Sequence, residues 1–138
     1  METATALSGG ETTVLLVDDE INILQALQRL LRRETFRIVT ATSGEEALKL
    51  LEQLSNVALI LSDQRMPQMN GAELLRRSRE ISPESFRVLL TGYSDLGDAV
   101  DAVNRGGISR YLNKPWDDSE LLQIVRSSVE NYSLTQEN

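Results

Sequence analysis

Residues 57–67 read Val-Ala-Leu-Ile-Leu-Ser-Asp-Gln-Arg-Met-Pro, an apolar run that ends on a serine and one isolated carboxylate, Asp63. An unbroken run of this length, closed by a turn residue, is the pattern of a strand buried on both faces. Strands of that kind belong to parallel sheets covered by helices, so helical segments are expected on either side of it.

They are there. Upstream, Val14–Val17 is a second unbroken run, followed by Ile23, Leu24, Leu27, Leu30 and Leu31 at helical spacing. Phe36–Thr40 alternates, and after it Ser43 and Glu46 form a capping-box pattern ahead of the stripe Ala47, Leu50, Leu51 and Leu54. Downstream, Asn70-Gly71-Ala72-Glu73 reads as a helix start with Leu74 and Leu75 behind it. Val88–Leu90 is a further apolar run, followed by the stripe Leu96, Ala99, Val100 and Val103. Ile108–Leu112 alternates, and Asp117-x-x-Glu120 caps a last helix carrying Leu122, Val125, Val129 and Tyr132.

Strict alternation of strand and helix predicts βαβ units with right-handed crossovers. The two alternating runs suit sheet edges and the three unbroken runs suit the centre. The expected fold is therefore α/β, a flavodoxin-like (βα)5 doubly wound parallel sheet with strand order 2-1-3-4-5. Residues 1–11 read as a disordered lead-in and 12–132 as one domain. Residues 133–138 read as a polar tail, either a truncated continuation of the last helix or a linker toward an output domain.

Composition removes several chemistries. The 138 residues contain no cysteine and no histidine, which excludes disulfides, thiolate or His-bound zinc, Ser-His-Asp hydrolysis and a histidine phosphodonor. A net charge of −7 disfavours direct binding to nucleic acid or an anionic membrane. No apolar run approaches a membrane span, and Met1–Gly10 lacks the features of a secretory signal, so a cytoplasmic location is expected.

In this fold the carboxyl ends of the strands carry Asp18, Asp19, Asp63, Thr91 and Lys114 to one edge, where open α/β sheets bind ligands. Like charges ~4 Å apart repel by about 4 kcal/mol at an effective dielectric near 20, so the acidic group calls for a cation. Oxygen-only ligands point to a hard ion, and Mg²⁺ suits one or two carboxylates with water and phosphate. Capping of the first helix would account for Asp18 and Asp19 but not for Asp63, Thr91 and Lys114. A carboxylate at a strand tip can accept a phosphoryl group, with Lys114 pairing with its oxygens and the Thr91 hydroxyl able to donate a hydrogen bond to one of them.

Four motifs in order carry a resemblance: V-D-D-E (Val17–Glu20), S-D-Q-R-M-P (Ser62–Pro67), T-G-Y (Thr91–Tyr93) and Y-L-N-K-P-W (Tyr111–Trp116). Over approximately residues 12–132 the chain resembles a bacterial response-regulator receiver domain of a two-component phosphorelay. The resemblance implies Asp63 as phosphoacceptor, with Mg²⁺ held by Asp19, Asp63 and the backbone carbonyl of Arg65, and by Asp18 largely through water. It implies Thr91 as the switch hydroxyl, Lys114 as the phosphate contact, Tyr111 as an aromatic that turns inward, and a Lys114–Pro115 bond that is often cis. Arg65 and Tyr93 flank the family's route for attacking water, where they would either shield the phosphoryl group or, for Arg65, lie in solvent.

The implied partners are a sensor histidine kinase or phosphotransfer protein as donor and an output domain or downstream protein as reader. The reading face is the fourth helix, fifth strand and fifth helix, and a phosphorylation-dependent homodimer is compatible with it. Receivers with D-Q-R-M-P and K-P-W-D-D are often joined to HD-GYP cyclic-di-GMP phosphodiesterases or to sensor kinases. Such a chain is a switch, catalysing only its own phosphoryl transfer and autodephosphorylation. Trp116 suits packing under the last helix as well as a partner surface. A small-molecule phosphatase with an aspartyl-phosphate intermediate is the competing reading, but the haloacid-dehalogenase type wants D-x-D after the first strand. A flavodoxin-like FMN binder is disfavoured by Asp-Asp-Glu after the first strand, which would repel phosphate unless a metal intervened.

Overall fold

The structure, a computed structural model, describes residues 11–92, 97, 100, 101 and 108–136. Five parallel strands form one sheet in the order β2-β1-β3-β4-β5. They are β1 (Thr13–Val17), β2 (Arg37–Ala41), β3 (Val57–Asp63), β4 (Phe86–Thr91) and β5 (Arg110–Asn113). The helices of ten or more residues among the described residues are α1 (Ile21–Leu31), α2 (Gly44–Gln53), α3 (Gly71–Ile81) and α4 (Asp118–Gln136). This is the flavodoxin-like arrangement expected from the run pattern, and its edges are the two alternating strands. Every residue of β1 and β3 is buried, whereas β2 and β5 are mostly half-buried or exposed.

Successive strand residues point to opposite faces, which splits the core in two. Leu15, Val17, Ile60 and Leu89 face Ala47, Leu51, Leu74 and Leu75 of α2 and α3. Val14, Leu16, Leu59, Leu61, Val88 and Leu90 face Leu24, Leu27 and Leu31 of α1 and Leu121, Ile124 and Val125 of α4. Each such side chain contributes roughly 1.5–3 kcal/mol by burial. Leu61→Ala would remove one contact set and leave a cavity, at a cost of about 2–5 kcal/mol.

Helix starts follow local chemistry. Ser43 Oγ accepts from the Glu46 amide at 3.1 Å, and Glu46 Oε1 reaches back to the amide of Thr42 at 2.7 Å, one residue earlier than a standard capping box. Asn70 Oδ1 accepts from the Glu73 amide at 2.9 Å. α4 continues to Gln136, so residues 133–136 of the polar tail are helical. Strand β4 begins earlier than its apolar run suggests, because Arg87 is buried in it. The guanidinium donates to the carbonyls of Ser82 and Pro83, just past the end of α3, where a cation is favourable. Trp116 is half-buried against the α1–α4 core, and its Nε1 donates to Asp118 Oδ1 at 3.0 Å.

Candidate functional site

Strand register assembles the site. Val17 pairs with Ser62, Asp63 with Leu90, and Thr91 with Asn113, so the residues after β1, at the tip of β3 and after β5 arrive level at the carboxyl edge. The ladder continues past the strand ends through the Asp18 amide to the Ala41 carbonyl, Gln64 to Leu90, and Lys114 to Thr91. These backbone bonds fix the direction in which Asp18, Asp63 and Lys114 project.

Carboxylate oxygens of Asp18, Asp19 and Asp63 all lie within 4.8 Å of one another. Lys114 Nζ is 2.8 Å from Asp63 Oδ1 and 3.6 Å from Asp18 Oδ2. The first is a charge-assisted hydrogen bond; the second is a charge contact beyond hydrogen-bond length. Asp18 Oδ1 accepts from the Glu20 amide at 2.9 Å, whereas Oδ2 is buried and finds no hydrogen-bond donor among the described residues. A buried carboxylate oxygen left without a donor is costly, and a cation beside it would remove that cost. Three carboxylates with oxygen ligands only therefore fit a hard divalent ion.

Neighbouring Asp18 and Asp19 differ sharply. Asp18 is buried and Asp19 exposed. Burial pushes the Asp18 carboxyl up to about 6, the Glu20 amide opposes this, the Asp63 charge adds to it, and Lys114 pulls the other way. Burial by itself would lower Lys114, but the hydrogen bond and charge of Asp63, with the charge of Asp18, raise it overall. The lysine therefore stays a cation at the centre of the site. The N-cap residue of α1 is Glu20, with no side-chain cap, so capping does not explain Asp18 and Asp19.

The remaining expected residues lie around this centre. Thr91 is buried and its Oγ1 donates to the Gly92 carbonyl at 3.0 Å, not to the carboxylates. Tyr111 is half-buried on β5 and packs against the α2–α3 core. Arg65 is exposed in the loop after β3. The Lys114–Pro115 peptide bond is cis. Tyr93 lies outside the described residues, as does most of the Leu96–Val103 stripe; of that stripe Val100 is described and is exposed.

Two residues of the site escaped the sequence reading. Gln64 is buried, and its Oε1 accepts from the Ala72 amide at 2.8 Å. Gly71 brings α3 so close to β3 that a Cβ there would stand 2.2 Å from the Asp63 carbonyl oxygen. A glycine straight after an N-cap, where a better helix former is the usual choice, was the available sign of close approach.

The family model described as "Response regulator receiver domain" matches residues 14–126. The chain is 43% identical to the hydrogenase transcriptional regulatory protein HoxA of Cupriavidus necator over 128 residues, 93% of this chain and 26% of that protein. It spans about a quarter of the length of the first curated relatives it matches. Its structure is similar to the signal receiver domain of an HD domain-containing protein from Pseudomonas fluorescens Pf-5, with 41% identity, a TM-score of 0.84 and 93% of each chain covered. It is also similar to a structure described as adenylate cyclase from Rhodopirellula baltica, with 37% identity, a TM-score of 0.87, and 92% of this chain and 93% of that one covered.

Proposed function

The chain belongs to the response regulator receiver domain family of two-component systems, and on that premise we propose that it is a phosphorylation switch whose acceptor is Asp63. The observation that supports this most is the 2.8 Å pairing of Asp63 Oδ1 with Lys114 Nζ, beside two further carboxylates at the sheet's carboxyl edge. One Asp63 oxygen forms a bond to phosphorus while the bond from phosphorus to the donor breaks. The electron pair leaves with the donor, an imidazole nitrogen of a phosphohistidine or the acetate of acetyl phosphate. Lys114 then pairs with the phosphoryl oxygens, and catalysis rests on alignment and neutralisation of charge.

Asp19 and Asp63, with the backbone carbonyl of Arg65, are the proposed direct ligands of Mg²⁺, and Asp18 acts through water. When bound, the ion offsets the negative charge of the carboxylates and of the incoming phosphoryl oxygens. Thr91 leaves the Gly92 carbonyl for a phosphoryl oxygen, and the space it vacates admits Tyr111. Shielding of the acyl phosphate from water falls to Arg65 and Tyr93, and the chain's own catalysis is limited to phosphoryl transfer and autodephosphorylation.

The donor is a sensor histidine kinase or phosphotransfer protein, acting in the cytoplasm. Among the described residues no helix is long and apolar enough to cross a membrane. The reader is an output domain or partner protein, approached through β5, α4 and the segment between β4 and β5. HoxA is a transcriptional regulatory protein and the Pseudomonas neighbour contains an HD domain, so both output classes are reasonable for this chain. A phosphorylation-dependent homodimer is compatible with the same face. Exposure to acetyl phosphate with Mg²⁺ should add one phosphoryl mass to the wild type and none to Asp63→Asn. An undiminished adduct in the variant would remove Asp63 from the role.

A further inference from the structure

We propose that Gln64 is a positioning residue for phosphoryl acceptance, its side chain clamping the start of α3 against the tip of β3 so that Asp63 is held for in-line attack. The inference rests on the reading of Asp63 as the acceptor.

Gln64 follows Asp63 and is only 3% exposed. Burying a long amide costs rotamer freedom and desolvation, so such a side chain persists where its hydrogen bonds hold something in place. Three bonds run from this residue to two elements. Its amide donates to the Leu90 carbonyl of β4 at 2.9 Å, and its carbonyl accepts from the Gly71 amide at 3.0 Å. Its Oε1 accepts from the Ala72 amide at 2.8 Å. A helix start leaves its first amides without internal partners, and ordinary capping supplies an acceptor from the residue just before the helix. Asn70 does that for Glu73. The amides of Gly71 and Ala72 are instead bound by one residue at the end of the acceptor strand.

The contact between the two elements is tight. A Cβ on Gly71 would stand 2.2 Å from the Asp63 carbonyl oxygen and 2.7 Å from Leu89 Cδ1. The first residue of α3 is thus a wall behind Asp63, and Gln64 is the fastening that keeps it there. Asp63 therefore has its backbone carbonyl against the start of α3 and its carboxylate Oδ1 2.8 Å from Lys114 Nζ, so its backbone and its side chain are each held. Loss of the side-chain bond to Ala72 leaves the Gln64 carbonyl's bond to the Gly71 amide as the remaining tie from this residue to α3, and lets the helix start and the tip of β3 shift. Displacement of a reacting group by about 1 Å costs up to about a hundredfold in rate.

The test compares Gln64→Met, which keeps length but lacks an acceptor, with Gln64→Glu, which keeps the oxygen for the Ala72 amide. Phosphorylation by acetyl phosphate is followed over a range of donor concentration, with saturating Mg²⁺ and well below the unfolding transition. Gln64→Met should lower the maximal rate about tenfold, with the half-saturating donor concentration and Mg²⁺ affinity within about twofold of wild type. Gln64→Glu should recover the rate to within about threefold of wild type. Gln64→Asn, an amide one methylene too short, should slow transfer in the same direction and serves if the Met variant does not fold. A Met variant that loses stability yet phosphorylates at the wild-type rate would reduce Gln64 to a helix cap and overturn the clamp. Equal slowing by Met and Glu would overturn it too. Failure of the wild type to accept any phosphoryl group would instead overturn the acceptor assignment, and the clamp with it.

Discussion

Replacing Asp18 with asparagine should make the metal-free protein more stable near neutral pH. Asn keeps the Oδ1 that accepts from the Glu20 amide at 2.9 Å, and it removes the charge whose second oxygen is buried without a hydrogen-bond donor among the described residues. Burial is the main reason that the carboxyl is pushed from 3.8 up to about 6, and that value already includes the opposing pull of Lys114. The interval corresponds to about 3 kcal/mol of folded-state cost for the ionised group. The adjoining Asp19 is exposed, so water reaches the edge of the site and roughly 1–3 kcal/mol is the gain to expect. Because the folded value lies above the unfolded one, the cost is complete above about 6 and fades as pH falls toward 3.8. Urea denaturation in a chelator should therefore show the variant ahead near neutral pH, with the two proteins converging near pH ~4. Added Mg²⁺ should stabilise the wild type more than the variant, since a ligand stabilises the state that binds it. A variant no more stable than wild type in chelator near neutral pH would refute the claim that Asp18 is held at a cost.

Three other outcomes follow from the proposed roles of the site residues. Mg²⁺ affinity by calorimetry should fall more for Asp19→Ala than for Asp18→Ala, because truncating the proposed direct ligand removes charge and coordination together; equal or reversed losses would contradict the ranking. Thr91→Ala should still be phosphorylated at Asp63, but hydrogen exchange around Tyr111 should respond little to a phosphoryl analogue; a wild-type response would remove Thr91 from the switch. The double variant Arg65→Ala/Tyr93→Ala should lose its phosphoryl group faster after donor removal with Mg²⁺ affinity nearly unchanged, since the proposed ligand at Arg65 is its backbone carbonyl; a slower loss would mean that these side chains orient water rather than exclude it.

The sheet was legible because burial on both faces leaves no room for polar residues in β1 and β3, and exposure at an edge lets β2 and β5 alternate. Parallel order then carried Asp18, Asp63, Thr91 and Lys114 to one edge from residue numbers alone. What stayed hidden depends on contacts that periodicity does not encode. Arg87 stands just before the apolar run Val88–Leu90 and is nonetheless buried, where the carbonyls of Ser82 and Pro83 receive its guanidinium. Asp18 and Asp19 look alike in sequence, but one is buried and the other exposed, and burial pushes the Asp18 carboxyl up. Gln64 resembles a loop residue until the Ala72 amide is found 2.8 Å from its side chain. Glu34 and Arg126 form a bidentate pair, with Nε donating to Oε1 and the terminal guanidinium nitrogen Nη2 to Oε2, across 92 positions, a separation no local pattern announces.

Whether Asp63 becomes an acyl phosphate can be read by chemical trapping. Borohydride cleaves an acyl phosphate, releasing phosphate and reducing the aspartyl carbonyl carbon to an alcohol, so the modified residue becomes homoserine. Peptide mass spectrometry of protein treated with acetyl phosphate and Mg²⁺, then reduced, should find homoserine in place of Asp63 and at no other aspartate. Homoserine at the position of Asp18 or Asp19, or a phosphoryl group found on a hydroxyl residue instead, would contradict the account.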